Sequence, residues 1–163
     1  MDIRPTTRAD IPAVDALLAR AYPVLLKPDY PASVLVTALP LISRAQPGLV
    51  TSGTYYGVFD GAILVGAGGW SMAAPGGASL RPGVAHVRHV VTDPARVRQG
   101  IGRAMMERVL FEARSAGAVQ MACQATRTAV PFYAAMGFLA LGEITVPLRG
   151  GIDFPAVQMK LDF

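Results

Sequence analysis

The sequence has 163 residues, is 52% hydrophobic and 16% charged, and carries a formal net charge of +4 at pH 7. This length predicts a single domain over residues 1–163 with a substantial core, and no apolar run reaches the ~20 residues of a membrane span, so we expect no membrane partner. The charge permits an anionic partner, but the basic residues are scattered, without the dense runs typical of nucleic-acid binding, so we expect no nucleic-acid partner.

The N-terminal region predicts a strand followed by an amphipathic helix. Residues 3–5 form a short strand, and Thr6 or Thr7 can cap a helix that runs to about Tyr22. The apolar face of this helix comprises Ile11, Val14, Leu17, Leu18 and Ala21.

A second helix is expected after a proline-rich break. The break covers residues 23–31, which contain three prolines. Apolar residues then recur at helical spacing over about residues 32–44, where Pro40 should kink the helix or end it early.

The middle of the chain predicts three strands. Residues 54–60 and 63–70 form a hairpin across Asp60-Gly61, a dipeptide typical of tight turns. Residues 71–82, rich in Gly, Ala, Ser and Pro, predict a loop, and residues 84–92 predict the next strand.

A glycine-rich helix start follows this strand. The strand ends before Asp93-Pro94, since proline cannot donate to a ladder, and Gly100 and Gly102 lie where a long amphipathic helix begins. The first N–H groups of a helix have no internal partner, and glycines let a ligand approach them closely. Formal positive charge is added by Arg96, Arg98 and Arg103. The stretch therefore predicts a phosphate or pyrophosphate site.

The C-terminal part predicts three strands and a short helix. Gly117 suits the end of the long helix, and residues 119–124 form the next strand. Thr126 or Thr128 begins a short helix with Pro131 in its first turn. The last strands, residues 138–146 and 156–161, are joined through a loop with two consecutive glycines.

Two motifs in this order resemble the GNAT N-acetyltransferase superfamily. RQGIGR at residues 98–103 is similar to the family's acyl-CoA loop, Gln/Arg-x-x-Gly-x-Gly/Ala, although the first position of that pattern is Val97 here. PFYAAMGF at residues 131–138 is similar to the family's FYxxxGF. The resemblance implies an α/β (α+β) fold, the GNAT fold, with a mixed, mostly antiparallel central sheet of about seven strands flanked by about four helices.

The resemblance also implies a function. It implies an acetyl-CoA-dependent N-acetyltransferase that moves an acetyl group to a primary amine by direct transfer in a ternary complex, with acetyl-CoA as co-substrate and no metal. A non-catalytic acyl-CoA-binding sensor or regulatory module of the same fold is the alternative. The matching cofactor-binding residues are Val90, Val91, Thr92, Arg98, Gln99, Gly100, Ile101, Gly102 and Arg103, with Thr126 where the family often has Asn.

Two catalytic residues are expected from the resemblance. Tyr133 matches the general acid, since a phenol with a pKa near 10 is protonated at neutral pH and can donate to sulfur; a packing tyrosine is the alternative. His86 is the expected general base, with His89 or water as alternatives. Strand alternation puts His86, Arg88 and Val90 on one face and Val87, His89 and Val91 on the other.

The acceptor is expected to be a small-molecule or peptide amine. Its walls should come from residues 22–50 and 142–155, and Tyr55, Tyr56 or Trp70 could line its cleft. Relatives often form dimers, so a homodimer is possible.

Other classes of protein find little support. No pair of His or Cys has ligand spacing within a carboxylate cluster, so no metal site is expected. There is no GxSxG elbow, and Met105 stands where a dinucleotide fingerprint requires glycine. The single cysteine, Cys123, excludes an internal disulfide framework and is expected to be a core residue. The N-terminus does not resemble a signal peptide, so a cytoplasmic protein is predicted.

Overall fold

The computed structural model describes residues 1–77 and 80–163, so Ala78 and Ser79 of the predicted 71–82 loop lie outside the described residues. In chain order the helices are α1 (Ile11–Leu26), α2 (Ala32–Ile42), α3 (Pro47–Val50), α4 (Ile101–Ser115) and α5 (Val130–Ala135). The strands are β1 (Asp2–Pro5), β2 (Tyr55–Asp60), β3 (Ile63–Ser71), β4 (Val84–Thr92), β5 (Gln120–Ala125), β6 (Leu139–Leu148) and β7 (Ile152–Asp162). None of these described helices is long and apolar enough to cross a membrane.

The seven described strands form one sheet in the order β1-β2-β3-β4-β5-β7-β6. Among them, β4 and β5 pair in parallel, and the other neighbouring strands pair antiparallel. This confirms the predicted α/β (α+β) class with a mixed, mostly antiparallel sheet of about seven strands. The described helices number five rather than about four, because Pro47 opens the short helix α3, where no element was predicted.

The first two helices differ from the prediction at their prolines. The predicted break at Pro23 is wrong at its start, since α1 continues through this residue to Leu26. Proline removes one helical hydrogen bond and crowds the preceding turn, but Leu26 is buried in the core and its burial offsets that cost. Pro40 also lies inside its helix, and α2 ends at Ile42, two residues earlier than Arg44.

The last two strands are longer than predicted. They approach each other through a three-residue 3-10 turn over Arg149–Gly151, so the expected loop is much shorter. Pro147 and Pro155 concealed this continuity, because proline usually marks the end of a strand. Pro147 lies on the edge strand β6, and Pro155 precedes the part of β7 that pairs with β5, so neither interrupts a central ladder.

Helices cover both faces of the sheet. On one face, a cluster joins Leu17 of α1 to Val91 of β4. On the other face, a second cluster joins Val109 of α4 to Val87 of β4. Val87 and Val91, which strand alternation placed on the same face, are therefore on opposite faces.

Two glycines of β3 let α4 approach the sheet closely. A Cβ on Gly66 would lie 2.8 Å from Cγ2 of Ile101, and one on Gly68 would lie 2.9 Å from Cε of Met105. Side chains at these positions would collide with α4. This packing fixes the start of α4 against the sheet beside the end of β4.

The predicted end of α4 is confirmed. Gly117 has φ of +99°, the Gly117 N–H donates to Arg114 O, and the Ala118 N–H donates to Ala113 O. These bonds satisfy the last helical carbonyls and turn the chain into β5.

Candidate functional site

The central feature of the site is a separation between β4 and β5. These strands pair only over residues 84–86 and 120–122, so the rest of β4 has no partner on that side among the described strands. The resulting cleft has a volume of about 2050 Å³. A typical small-molecule site encloses roughly 300–1,000 Å³, so this cleft has room for two ligands at once.

The cleft has two ends. Its loop end lies at the start of α4 and includes residues 96–98 and 100–103. Its far end is lined by the α2–α3 segment, residues 40–49, together with Arg88 and residues 146–149 of the β6–β7 hairpin. Both stretches predicted as acceptor walls, residues 22–50 and 142–155, contribute to the lining.

A bulge on β4 shapes the middle of the cleft. Gly69 of β3 pairs with Arg88, whereas Ala67, two residues away, pairs with Val91, three residues away. One extra residue is therefore inserted on β4. His89 has φ of +49°, in the left-handed region that few residues other than glycine adopt.

The bulge makes the predicted faces of β4 wrong at Arg88 and His89. Alternation placed these neighbours on opposite faces, but both side chains contact the α2–α3 segment. Arg88 Nη2 donates to Gln46 Oε1 at 3.2 Å, and His89 Nε2 lies 2.8 Å from the carbonyl oxygen of Ile42. A guanidinium and an imidazole are thus presented side by side at the cleft.

Two buried tyrosines hold the bulge. The Tyr55 hydroxyl donates to the carbonyl of His89 at 2.8 Å, and the Tyr22 hydroxyl donates to the carbonyl of Val90 at 3.0 Å. Burial raises the pKa of both phenols above the usual value, so each remains a protonated donor at neutral pH.

An aspartate orders the turn between β4 and the loop end. Asp93 Oδ1 accepts from the Ala95 N–H at 2.9 Å, and Oδ2 accepts from Arg20 Nη2 at 3.2 Å. The bond from Ala95 is the main cause that lowers the pKa of Asp93, with Arg20 contributing, so the carboxylate is ionised.

The loop end presents open backbone N–H groups. Gly100 precedes α4 with φ of +79°, and its carbonyl accepts the first helical bond, from the Ala104 N–H, at 3.0 Å. The N–H groups of residues 101–103 have no partner within the helix, and no side chain in the described part of the chain caps this end. With the positive end of the helix dipole, these groups form a site suited to a phosphate.

The structure brings most of the predicted cofactor residues together. Those that line the cleft are Val90, Val91, Thr92, Arg98, Gly100, Ile101, Gly102, Arg103 and Thr126. Gln99 does not line it. Thr126 Oγ1 accepts from the Ala129 N–H at 3.2 Å and so begins the helical turn before α5, one of the two positions predicted.

Tyr133 lines the cleft and is 95% buried. Its ring packs edge-on against Phe132 and Phe138, with centroid distances of 5.2 and 5.4 Å. Burial raises the pKa of this phenol well above its usual value, so the hydroxyl is protonated.

Cys123 also lines the cleft, and burial raises the pKa of its thiol to about 12, so it is a neutral core residue.

The two histidines differ in position. His86 is buried, does not line the cleft, and its Nε2 has no hydrogen-bond partner in the described residues. His89 lines the cleft. A carbonyl can only accept, so Nε2 of His89 carries the hydrogen donated to Ile42 and Nδ1 keeps its lone pair. Burial is the main cause that lowers the pKa of His89, which favours the neutral ring.

Three aromatic residues considered for the acceptor site do not reach it. Tyr55, Tyr56 and Trp70 are buried in the core and do not line the cleft. Sequence reasoning missed Arg88 as a site residue, because its partners Gln46 and Ser71 are distant in the chain. Within residues 1–77 and 80–163, no group of three or more His, Cys, Asp or Glu could hold a metal ion.

The described sheet opens between two parallel strands, and a glycine-rich helix start lies at one end of the opening. A family profile described as "Acetyltransferase (GNAT) domain" matches residues 51–163. The chain therefore belongs to the GNAT acetyltransferase family. No curated protein matches this chain significantly by sequence.

Solved structures share the fold. A GCN5-related N-acetyltransferase from Rhodopseudomonas palustris superimposes with a TM-score of 0.78 at 18% identity, covering 99% of this chain and 95% of that one. The ribosomal-protein-S18-alanine N-acetyltransferase of Escherichia coli has a TM-score of 0.65 at 17% identity, covering 99% and 92%. The structure of yncA from Salmonella typhimurium, with its cofactor acetyl-CoA, has a TM-score of 0.67 at 18% identity, covering 99% and 93%. The family supports an acyltransferase, and these neighbours share its fold.

Proposed function

We propose that this protein is an acetyl-CoA-dependent N-acetyltransferase that transfers the acetyl group directly to a primary amine in a ternary complex. The observation that carries the proposal is the single cleft that joins an open helix N-terminus to a second, separately lined end. Its size suits simultaneous binding of the two substrates, which direct transfer requires.

The loop end is suited to the pyrophosphate of acetyl-CoA. The N–H groups of residues 101–103 would bind its oxygens, and Arg98 and Arg103 would add positive charge. A Cβ on Gly102 would lie 3.2 Å from Cε1 of Phe132, so a side chain at this position would press against that ring. The pantetheine arm would run along Val90–Thr92 on the side of β4 that lacks a strand partner.

His89 is proposed as the base, in place of the histidine favoured from sequence. Its neutral ring is fixed by Ile42, and Nδ1 has a lone pair for the proton that the amine releases, directly or through water. His86 stays a sequence prediction, but its side chain does not line the cleft.

Tyr133 is proposed as the acid. As the amine nitrogen bonds to the acetyl carbon, the carbon–sulfur bond breaks and the thiolate takes the proton of the Tyr133 hydroxyl. Burial keeps that hydroxyl protonated until it is needed.

The test combines binding with turnover. A calorimetric titration with acetyl-CoA should show saturable binding, and free CoA should then form in the presence of an amine from a broad panel. Binding without CoA release for any amine would favour a non-catalytic acyl-CoA sensor. Absence of binding would contradict the proposed use of the loop end.

A further inference from the structure

The charged side chains that line the cleft are all of one sign. Among the described residues they are Arg44, Arg88, Arg96, Arg98, Arg103 and Arg149, with no carboxylate. At the loop end, Arg96 forms an ion pair with Asp60, and Nη1 of Arg103 lies 3.8 Å from Oε1 of Glu107. The far-end arginines are Arg44, Arg88 and Arg149, and none of them forms an ion pair within residues 1–77 and 80–163. These arginines therefore have no ion-pair partner in that part of the chain, and the carboxylate that contacts the segment, Asp15, accepts from the backbone N–H of Ala45 at 2.9 Å.

Arg88 is held in place by neutral groups. Its Nη1 donates to Ser71 Oγ at 3.0 Å and its Nη2 donates to Gln46 Oε1 at 3.2 Å. Ser71 is itself fixed, since its hydroxyl donates to the carbonyl of Ala73 at 2.6 Å. A guanidinium has five N–H donors, so three remain for a ligand.

The surroundings of Arg88 favour an anion. The side chain is half-buried, and burial alone lowers its pKa, with no acidic group near enough to oppose the shift. A guanidinium that has lost water without gaining a counter-ion is stabilised by a ligand that supplies one. A carboxylate fits best, because its two oxygens match the planar fork of arginine.

The bulge places the guanidinium of Arg88 and the imidazole of His89 on the same side of β4. Arg88 and His89 are consecutive residues, and both contact the α2–α3 segment. A ligand with its carboxylate on Arg88 would therefore place a nearby amine beside His89 and the adjoining Val90–Thr92 stretch.

We infer that the acceptor is an amine that also carries a carboxylate, of the amino-acid class, and that Arg88 binds this carboxylate. The inference rests on the proposed function. It disfavours polyamines and other polycationic amines, which would bring like charge into a cleft without any carboxylate.

The test compares matched acceptors. Amino acids would be assayed against the corresponding amino-acid amides and decarboxylated amines, with CoA release as the readout. The kcat/KM of the wild type should be about 10–100-fold higher for amino acids than for their amides or decarboxylated amines. This factor corresponds to the usual free energy of a hydrogen bond to a charged group. Arg88→Gln should abolish the preference and leave the KM for acetyl-CoA unchanged, while Arg88→Lys should retain part of it.

A matched control removes one positive charge elsewhere. Arg8 is exposed and does not line the cleft, so Arg8→Gln should keep the full preference. Equal rates for acid and amide, faster reaction of polycationic amines, or an undiminished preference in Arg88→Gln would overturn the inference.

A binding arm separates this inference from the proposed function. N-acetyl amino acids and their amides would be titrated calorimetrically into the wild type and into Arg88→Gln, both saturated with CoA. Binding of the carboxylates to the wild type alone supports the anion site even if no amine is turned over, in which case only the proposed catalysis fails. Binding of no carboxylate, or equal binding to both proteins, refutes the role of Arg88.

Discussion

The role of His89 can be tested by replacing it with glutamine. The side-chain amide of glutamine can still donate to the carbonyl of Ile42, the bond that His89 Nε2 makes at 2.8 Å, but it cannot accept a proton. Loss of a general base typically lowers the rate by about 10²–10⁴-fold. We therefore expect His89→Gln to fold normally, to bind acetyl-CoA with unchanged affinity, and to lose kcat/KM by this amount.

The pH profile gives an independent readout. Burial lowers the pKa of His89 below its usual value of 6.5; the hydrogen bond to Ile42 opposes this shift, and the charge of Arg88 adds a smaller lowering effect. Below that pKa the ring already holds a proton and cannot accept another, so kcat/KM of the wild type should fall as pH falls, with an apparent pKa below 6.5. The phenols of Tyr22 and Tyr55 remain protonated over this range and do not contribute.

Substitution by glycine makes the test sharper. The left-handed backbone at His89 costs about 1–2 kcal/mol for a residue with a side chain, and glycine relieves that cost. Loss of the hydrogen bond to Ile42 costs about 0.5–1.5 kcal/mol, and loss of the ring contact with Tyr22 adds to this, so His89→Gly should be modestly less stable than the wild type but still folded. Added imidazole should then restore part of its rate. An acid limb that survives in His89→Gln, or a glycine variant with full activity, would refute the assignment.

Three further variants test other parts of the structure. Tyr133→Phe keeps the ring packing and removes the donor, so turnover should fall by about 10²-fold or more while affinity for acetyl-CoA is unchanged; undiminished turnover would remove Tyr133 from the chemistry. Gly100→Glu puts a carboxylate at the open start of α4 and should abolish acetyl-CoA binding in calorimetry, whereas Gly100→Gln, with the same backbone strain, should weaken it less. Equal losses in the two variants would contradict an electrostatic site. Gly69→Ala places a Cβ 2.3 Å from the carbonyl oxygen of Thr54 and should destabilise the fold by about 1–3 kcal/mol in urea unfolding, while Gly48→Ala, with open space around it, serves as the control. A Gly69→Ala variant as stable as the control would contradict the packing of β2 on β3.

The loop end of the cleft could be predicted from sequence because local residues determine it. Gly100 and Gly102 are needed where a ligand meets the backbone, and the helix that follows has a regular apolar face. The glycines and the helical spacing of apolar residues can both be recognised within one continuous stretch of sequence. The cofactor residues predicted there were accordingly brought together, with Gln99 as the exception.

The far end of the cleft could not be predicted in the same way, because long-range packing determines it. Nothing in the sequence around His89 signals an extra residue on β4, since the bulge is held by the hydroxyls of Tyr22 and Tyr55 from elements far away in the chain. Period-2 alternation without the bulge separated Arg88 from His89, and the family resemblance favoured His86 as the base.

The prolines show the same limit of local reasoning. A proline lowers the stability of a helix or strand by an amount that tertiary burial can exceed. Helix α1 continues past Pro23, and β6 and β7 continue through Pro147 and Pro155. Pro23 was predicted to begin a break, and Pro147 and Pro155 lie just outside the predicted strands, because the sequence shows the cost of a proline but not the packing that outweighs it.

The bulge also explains why the two ends of the cleft can serve different substrates. The loop end relies on backbone N–H groups, which any sequence with glycines at these positions can present. The far end instead presents side chains, those of Arg88 and of the α2–α3 segment. Because His89 lies between the two, held by Ile42 of that segment, a change in the acceptor walls also changes the position of the proposed base. The proposed roles therefore predict that acceptor choice and proton transfer are coupled through one strand, so substitutions in residues 40–49 should alter both together.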